Sequence, residues 1–432
     1  MRLRLSLTGF VVGLAAMGLA SGGAAAVSAQ PVYTITEVGP EPGSETLPFA
    51  INAAGDVVGS TFFLVDGSFL QRAFLHSQGI TTNLGTLSGE TWSEAKGLNA
   101  AGTAVGKCGA IACVFEGDHV IPLNVGEGSS FAEDINDAGR IVGSARIADG
   151  AFRPFVYSDG TITDLGPYLP STTHSGATSI NEAGDVAGWL WLTAPNGPRA
   201  FFYRNDGAPA VLIPGPIGYP LTDASAVNDF RQVVGSARGV SGQMLAFLYN
   251  DSDGTTKDLG TLGLLTSRAS DINASGQIVG ASTLSSGALH AFVYDGIMRD
   301  LNDLIPPDSG WVLLHALAIN DAGQIAGMGR ITGKEGLRGF LLTPVAPSPE
   351  EMIADLISLV QSFDLPGGAE NSLVSKLENA LKSLEKGNPE AACGQLGAFI
   401  NQVSAPSGGS LTPEQAQKLI ERAEDARTLL GC

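Results

Sequence analysis

Ala318-Ile-Asn-Asp-Ala-Gly-Gln-Ile-Ala-Gly327 is one of seven readings of a single pattern. The copies are anchored by Asn52, Asn99, Asn136, Asn181, Asn228, Asn273 and Asn320, at steps of 47, 37, 45, 47, 45 and 47 residues. Repetition at that period decides the architecture first, because one such unit cannot bury its apolar face alone and must stack on a neighbour. An aliphatic residue precedes every Asn, Gly follows three positions later in six of the seven copies, and an apolar pair and a second Gly come next. The order predicts strand, tight turn, strand. Asn opens the turn by bonding its own backbone, and Gly takes positive φ without a steric clash. The fifth copy has Arg231 where Gly55, Gly102, Gly139, Gly184, Gly276 and Gly323 stand. Either that turn differs or Arg231 carries about 1 kcal/mol of strain. On the turn alone, Arg231→Gly is expected to raise stability.

About twenty residues after each Asn a second strand pair is expected. Arg72-Ala-Phe-Leu-His76, Arg153-Pro-Phe-Val-Tyr157, Arg199-Ala-Phe-Phe-Tyr203, Leu245-Ala-Phe-Leu-Tyr249 and His290-Ala-Phe-Val-Tyr294 are versions of one third strand. A turn follows, often Asp-Gly as at Asp159-Gly160 and Asp295-Gly296, then a fourth strand ending in Asp-Leu, as at Asp164-Leu165, Asp258-Leu259 and Asp300-Leu301. Asp-Gly between alternating apolar runs is a strong hairpin signal, so each repeat reads as four antiparallel strands. On these residues the stretch from about 32 to 344 resembles the bacterial extracellular repeat proteins of the HAF family, whose His-Ala-Phe stands complete at His290-Ala291-Phe292. The resemblance implies an extracellular repeat protein and brings no general activity with it.

Tyr33-Thr-Ile-Thr-Glu-Val-Gly39 resembles a fourth strand yet precedes the first complete repeat, whereas Leu337-Arg-Gly-Phe-Leu-Leu342 is a third strand with no fourth after it. The surplus and the deficit match. The expectation is an all-β, seven-bladed β-propeller over residues 30–344, in which residues 32 to 39 pair with 337 to 343 and close the ring, removing an aggregation-prone edge. Before it, residues 1–29 read as a secretory signal peptide: Arg2 and Arg4, an apolar run from Leu5 to about Ala20, and small residues at Val27-Ser28-Ala29. No later segment is long and apolar enough to span a bilayer, so the expected location is secreted, with no membrane span in the mature chain. A net charge of -19 argues against nucleic acid as a partner and against charge-driven adhesion to anionic membrane.

After residue 344 the composition changes. Residues 345–350 read as a stiff Pro-rich linker, and from 351 to 432 the apolar period shifts from two to 3.6, predicting a small all-α helical bundle. Ile353, Leu356, Ile357 and Val360 share one helical face, as do Leu373, Leu377, Leu381 and Leu384; Thr412 caps a last helix with Pro413 at its first position. The segment is similar to the FIMAH type of module at the C-termini of bacterial secreted proteins, on Asn371-Ser-Leu-Val-Ser-Lys-Leu377 and Ala398-Phe-Ile-Asn-Gln-Val403.

Four cysteines allow three pairings. Cys108 and Cys113 are close enough for a disulfide across one hairpin, or stand as two buried thiols, and Cys393 with Cys432 would close a loop of about 40 residues, contributing about 4 kcal/mol in the chain-entropy model. Export favours oxidation. Chemistry is sparse: no nucleophile elbow, paired-His metalloprotease helix or phosphate-binding Gly loop is present, and no metal or cofactor is expected. Asp251-Ser-Asp253-Gly254 suggests a calcium loop or an aspartate box but lacks the residues that complete either, so it reads as a turn. The connections between strands two and three, and between repeats, vary in length and must emerge on one face of the disc. Trp92, Tyr168, His174, Tyr219 and Trp311 fall on them. Such residues suit sugar stacking or a protein anchor, or else plug gaps between blades. Two function classes follow: a non-catalytic exported module that presents this face to a glycan or protein, and a polysaccharide hydrolase or lyase with carboxylates in the central channel.

Overall fold

The computed structural model describes residues 32–39, 45–65, 68–193, 197–345, 347–363, 365–405 and 411–432; the stretch expected to be a signal peptide, 1–29, lies outside them. The chain forms β1 (Tyr33–Val38), then β2 (Glu45–Ile51), β3 (Val57–Val65), β4 (Ser68–Ser77) and β5 (Ile80–Gly85). Next come β6 (Ser93–Leu98), β7 (Ala104–Cys108), β8 (Ile111–Glu116) and β9 (His119–Pro122), followed by β10 (Ser130–Ile135), β11 (Ile141–Arg146), β12 (Phe152–Ser158) and β13 (Thr161–Asp164). The fourth repeat gives β14 (Thr172–Ile180), β15 (Val186–Leu192), β16 (Gly197–Tyr203) and β17 (Val211–Leu212); the fifth gives β18 (Leu221–Val227), β19 (Gln232–Arg238), β20 (Met244–Asn250) and β21 (Thr255–Asp258). The last are β22 (Gly263–Ile272), β23 (Ile278–Leu284), β24 (Leu289–Tyr294) and β25 (Met298–Asp300), then β26 (Trp311–Ile319), β27 (Ile325–Ile331) and β28 (Arg338–Pro344). Consecutive strands pair antiparallel within each repeat, and β18–β21 joins β22–β25 through a single parallel bridge, Met244 to Thr266. β1 pairs antiparallel with β28, from Tyr33 opposite Pro344 to Val38 opposite Gly339. This stacked-sheet architecture is a β-propeller.

Both glycines of the repeat have a physical cause, and the two causes differ. The first closes the turn: Gly184 N–H donates to Asn181 O at 3.0 Å, with φ +84. The second sits in an ordinary strand. Each first strand carries a bulge that shifts its register, as between Ala224 and Ala226, and thereby pushes a carbonyl toward the second strand. A Cβ on Gly59, Gly106, Gly143, Gly188, Gly235, Gly280 or Gly327 would lie 1.9 to 2.3 Å from such a carbonyl oxygen. The third-strand Phe faces that Gly across the ladder in six repeats, Phe74, Phe155, Phe201, Phe247, Phe292 and Phe340, all buried. In the second repeat Cys113 takes the place of Phe opposite Gly106, and its disulfide to Cys108 fills the space, with both sulfurs buried.

Neighbouring repeats are stitched by hydroxyls. Ser93, Ser130, Thr222 and Ser267 accept the N–H of Ala73, Ala112, Ala200 and Ala246 in the preceding repeat, at 2.9 to 3.0 Å. Ser175 occupies the same position in the fourth repeat, but its counterpart is Pro154, which has no N–H to give. Its buried Oγ accordingly has no hydrogen-bond partner among the described residues.

Arg231 does take the left-handed backbone, φ 57, so the fifth turn keeps the shape of the other six. Its side chain has a second task that the turn did not reveal. Nε donates to Asp185 Oδ2 at 2.9 Å, and the Asp185 side chain is 1% exposed against 47% for Arg231. Arg231→Gly therefore trades about 1 kcal/mol of backbone strain for a charge-assisted bond to a buried carboxylate worth about 1.5–3 kcal/mol. A net loss of about 1 kcal/mol in urea unfolding is expected, reversing the gain anticipated from the turn. A variant as stable as the parent would show that solvent has screened the pair to nothing.

The helices are α1 (Pro349–Gln361), α2 (Gly367–Glu385), α3 (Pro389–Ser404) and α4 (Pro413–Leu429). Capping boxes start α1 at Ser348 with Glu351 and α4 at Thr412 with Gln415, while Asn388 caps α3. Ile353, Leu356, Val360, Leu373, Leu377, Leu396, Phe399 and Leu419 form one buried core, and Ile357, Leu381 and Leu384 pack at its margin. Ala380, rather than Leu381 or Leu384, completes the buried stripe of α2. Cys393 and Cys432 are joined, tying α3 to the last residue. No helix among the described residues is long and apolar enough to cross a membrane.

Candidate functional site

Each repeat Asn is buried and bonds in two directions. Its Oδ1 accepts the N–H four residues on, as from Asp185 to Asn181 at 2.8 Å. Its Nδ2 donates to the carbonyl of the next repeat's Asn: Asn52 to Asn99, Asn99 to Asn136, Asn136 to Asn181, Asn181 to Asn228, Asn228 to Asn273, Asn273 to Asn320, and Asn320 to Asn52, at 2.9 to 3.5 Å. Reasoning from turns found the first bond and missed the second. The signal was that Asn never gives way to Asp or Ser, which would open the same turn but cannot donate in this geometry.

Five of these asparagines, Asn52, Asn181, Asn228, Asn273 and Asn320, border a cavity of about 240 Å³ that draws on all seven repeats. Four of the residues that follow a repeat Asn at the mouth are acidic: Asp137, Glu182, Asp229 and Asp321. Each carboxylate accepts a backbone N–H from the preceding repeat, at 2.7 to 3.0 Å from Ala100, Asp137, Glu182 and Ala274 respectively. Burial, with Asp137 and Asp229 as like-charged neighbours, raises the Glu182 carboxyl above its ordinary range against the hydrogen bond it accepts from Asp137. The ring of acids is committed to holding sheets together.

Further along, the first strands present charged groups to one another. Asp134 accepts from Ile135 N–H and, across the repeat boundary, from Ile180 N–H; Asp271 accepts from Ile272 and Ile319 in the same way. Each is half-buried, with protein surrounding its carboxyl, and burial pushes Asp134 up to about 6 and Asp271 up to about 7 despite the paired N–H bonds. His315, bonded to Ser270 Oγ at 2.9 Å, is driven down to about 4 by burial, with Arg268 adding to the shift. Glu133 lies near Lys96, Glu94 and Lys107 and is raised chiefly by burial. Among the described residues it forms no hydrogen bond.

On the variable-loop face the five sequence candidates separate. Tyr168 packs on Tyr203, with ring centroids 4.9 Å apart, Tyr219 sits against the core of the fourth and fifth repeats, and Trp311 meets Phe340 edge-on at 6.1 Å. These three fill space between sheets. Trp92 and His174 instead belong to a run of contacts over the second to fourth repeats: Lys107 Nζ lies 5.3 Å from the Trp92 ring and 3.6 Å from Phe131, Phe131 meets Phe152 at 5.7 Å, and Phe152 meets His174 at 6.4 Å. Beside this run opens a cleft of about 540 Å³ lined by Arg146, Asp149, Gly150, Phe152, Arg153 and Thr172–His174. It lies between the β11–β12 turn and the connection into β14, the two kinds of loop that vary along the chain. Lys107, Phe131, Phe152 and Arg146 escaped the sequence reading because they stand on strands, where alternation looks structural.

Asp251-Ser-Asp253-Gly254 is a turn, as its sequence reads: Asp251 accepts from Arg204 Nε at 2.8 Å and Asp253 accepts from Thr255 N–H at 2.9 Å. Among the described residues no group of three His, Cys, Asp or Glu side chains is placed to hold a metal ion.

Residues 349–428 match the FIMAH domain family. The FIMAH segment thus spans all four helices, and the family says nothing of the strands before it. No characterised protein matches the chain in sequence. Among solved structures, the β-propeller domain of the Trilobed protease from Pyrococcus furiosus is 6% identical with a TM-score of 0.47, covering 71% of this chain and 98% of that one. A puromycin-hydrolyzing peptidase of Mycobacterium tuberculosis is 13% identical with a TM-score of 0.44, covering 68% of this chain and 53% of that one. The Trypanosoma rangeli sialidase is 11% identical with a TM-score of 0.36, covering 72% of this chain and 56% of that one. This chain therefore spans about half the length of the latter two.

Proposed function

We propose that the chain is an exported binding module: a seven-bladed propeller, closed by β1, that presents its variable-loop face to a glycan or protein, with the FIMAH segment as a second attachment unit. Closure is supported by β1 standing in fourth-strand register, with Glu37 opposite Phe340 as Asp164 is opposite Phe155, and by the Asn320 bond back to Asn52. The likeness of the strands to HAF repeats, and the disulfides, fit an extracellular setting.

One contrast carries the functional reading. At the Asn mouth the four acidic side chains are each tied to a backbone N–H, whereas the loop-face cleft offers aromatic surface and polar groups that the fold leaves available. A ligand gains most where groups are pre-positioned and unsatisfied. The test is a glycan array probed with the purified chain. Binding should weaken about tenfold in Trp92→Ala and Phe152→Ala without a fall in melting temperature, while Trp311→Ala lowers the melting temperature and spares affinity. Binding that ignores Trp92 and Phe152 would move the site elsewhere.

A hydrolase reading has one observation in its favour, the Glu133 carboxyl without a hydrogen bond. Incubating any bound oligosaccharide and looking for product decides it: turnover abolished by Glu133→Gln would make the chain an enzyme.

A further inference from the structure

The loop-face cleft opposes the charge of the molecule around it. The chain carries a net charge of -19, yet Arg146, Arg153 and His174 line this cleft against a single carboxylate, Asp149. Asp149 is already engaged, accepting the Ala151 N–H at 2.8 Å. No hydrogen bond or ion pair joins the Arg146 side chain to another described residue. That side chain lies over Gly150, where a Cβ would come within 3.5 Å of Nη2. Arg153 reaches Asp164 only at 3.7 Å, and with side chains 40% and 48% exposed the pair is one that solvent screens. His174 Nδ1 accepts the Phe152 N–H at 3.2 Å, so in the neutral ring the proton sits on Nε2 as an outward donor.

We infer that this cleft binds a short acidic sugar, with the Arg146 and Arg153 guanidiniums on its anionic group and the Phe152–His174 surface against its ring. The inference rests on the glycan-binding reading of the loop face. Two guanidinium forks match the planar oxygens of a carboxylate, and match sulfate nearly as well. An aromatic face beside them suits the apolar side of a pyranose. A cleft of about 540 Å³ is of the size that takes a small ligand, one or two sugar rings rather than a polymer. Net charge makes the same selection. A long polyanion would carry further charges beyond the cleft into the field of a chain of net charge -19, which disfavours it.

The experiment is titration calorimetry on the full chain in 0.1 M salt with trigalacturonate, a sialylated trisaccharide, a sulfated trisaccharide, neutral maltotriose and polygalacturonate. At least one acidic trisaccharide should bind tenfold or more tighter than maltotriose, and tighter per site than the polymer. Arg146→Ala and Arg153→Ala should each weaken it about tenfold at unchanged melting temperature, and Arg146→Lys should restore only part. The arms also name the anionic group: preference for the uronate or sialylated sugar assigns a carboxylate, and preference for the sulfated one a sulfate ester. If maltotriose binds as tightly as the acidic sugars and both Arg variants keep the parent's affinity, the acidic ligand is wrong while the glycan-binding face stands. If none of these sugars binds and the array is also blank, both readings fail.

Discussion

Gly235→Ala is expected to lower the stability of the strand region by about 3 kcal/mol or more, although the substitution adds one methyl group in ordinary strand backbone. The new Cβ would sit 2.0 Å from Asp223 O, which belongs to the bulged first strand of the same sheet, and 3.0 Å from Ala224 Cα. Neither is the end of a flexible side chain. The bulge cannot retreat, because Phe247 packs opposite Gly235 with no exposed surface and Ala224 is buried in the core cluster shared with the preceding sheet. Gly287→Ala is the control: at φ +87 with nothing within 4 Å, its penalty is the backbone one alone, about 1–2 kcal/mol. Chemical denaturation of the two variants separates the causes. A Gly235→Ala loss no larger than that of Gly287→Ala would mean the bulge yields, and the second Gly of the repeat would need another explanation.

The two glycines of the repeat show what the sequence could and could not say. The turn Gly was legible because positive φ is a local property, decided within four residues of the Asn. The strand Gly was visible as a regularity, but its cause is a carbonyl some twelve residues upstream, which no local pattern contains. Arg231 has the same lesson in reverse. Local chemistry read its strain correctly and missed Asp185, 46 residues away in the preceding repeat. The site divides likewise: Trp92 and His174 stood out because the sequence places them on variable connections, although His174 stands on β14, whereas Phe131, Phe152 and Lys107 sit at strand positions where an inward residue and a ligand-facing one carry the same signature. Ser175 is the limiting case, since a hydroxyl without a partner can be recognised only once Pro154 is seen to stand opposite it.

Raising the pH from 5 to 8 should erode the stability advantage of the parent chain over an Asp134→Asn, Asp271→Asn double variant by on the order of 3 kcal/mol. Burial lifts the two folded-state carboxyls to about 6 and about 7 from an ordinary 3.8, against the backbone bonds that each accepts. A carboxyl raised on folding binds its proton more tightly in the native state. Its stabilising contribution is therefore complete below about pH 4 and is lost as the pH climbs through 6 and 7, where the native state must hold two anions between sheets. Their neighbours add to the effect, Glu182 raising Asp134, and Asp134 and Asp321 raising Asp271 as like charges. His315 has the opposite sign. Lowered to about 4 from 6.5, it contributes fully above pH 6.5 and loses that contribution as the pH falls toward 4. Because it is present in both proteins, it cancels in the comparison. Each Asn can accept one of the two N–H bonds that Asp accepts, so the variant starts from a lower stability at pH 5. The measurement is urea unfolding of both proteins at half-unit intervals. A gap between them that stays constant from pH 5 to 8 would mean that the carboxyls are ionised throughout, with their four backbone N–H donors outweighing burial.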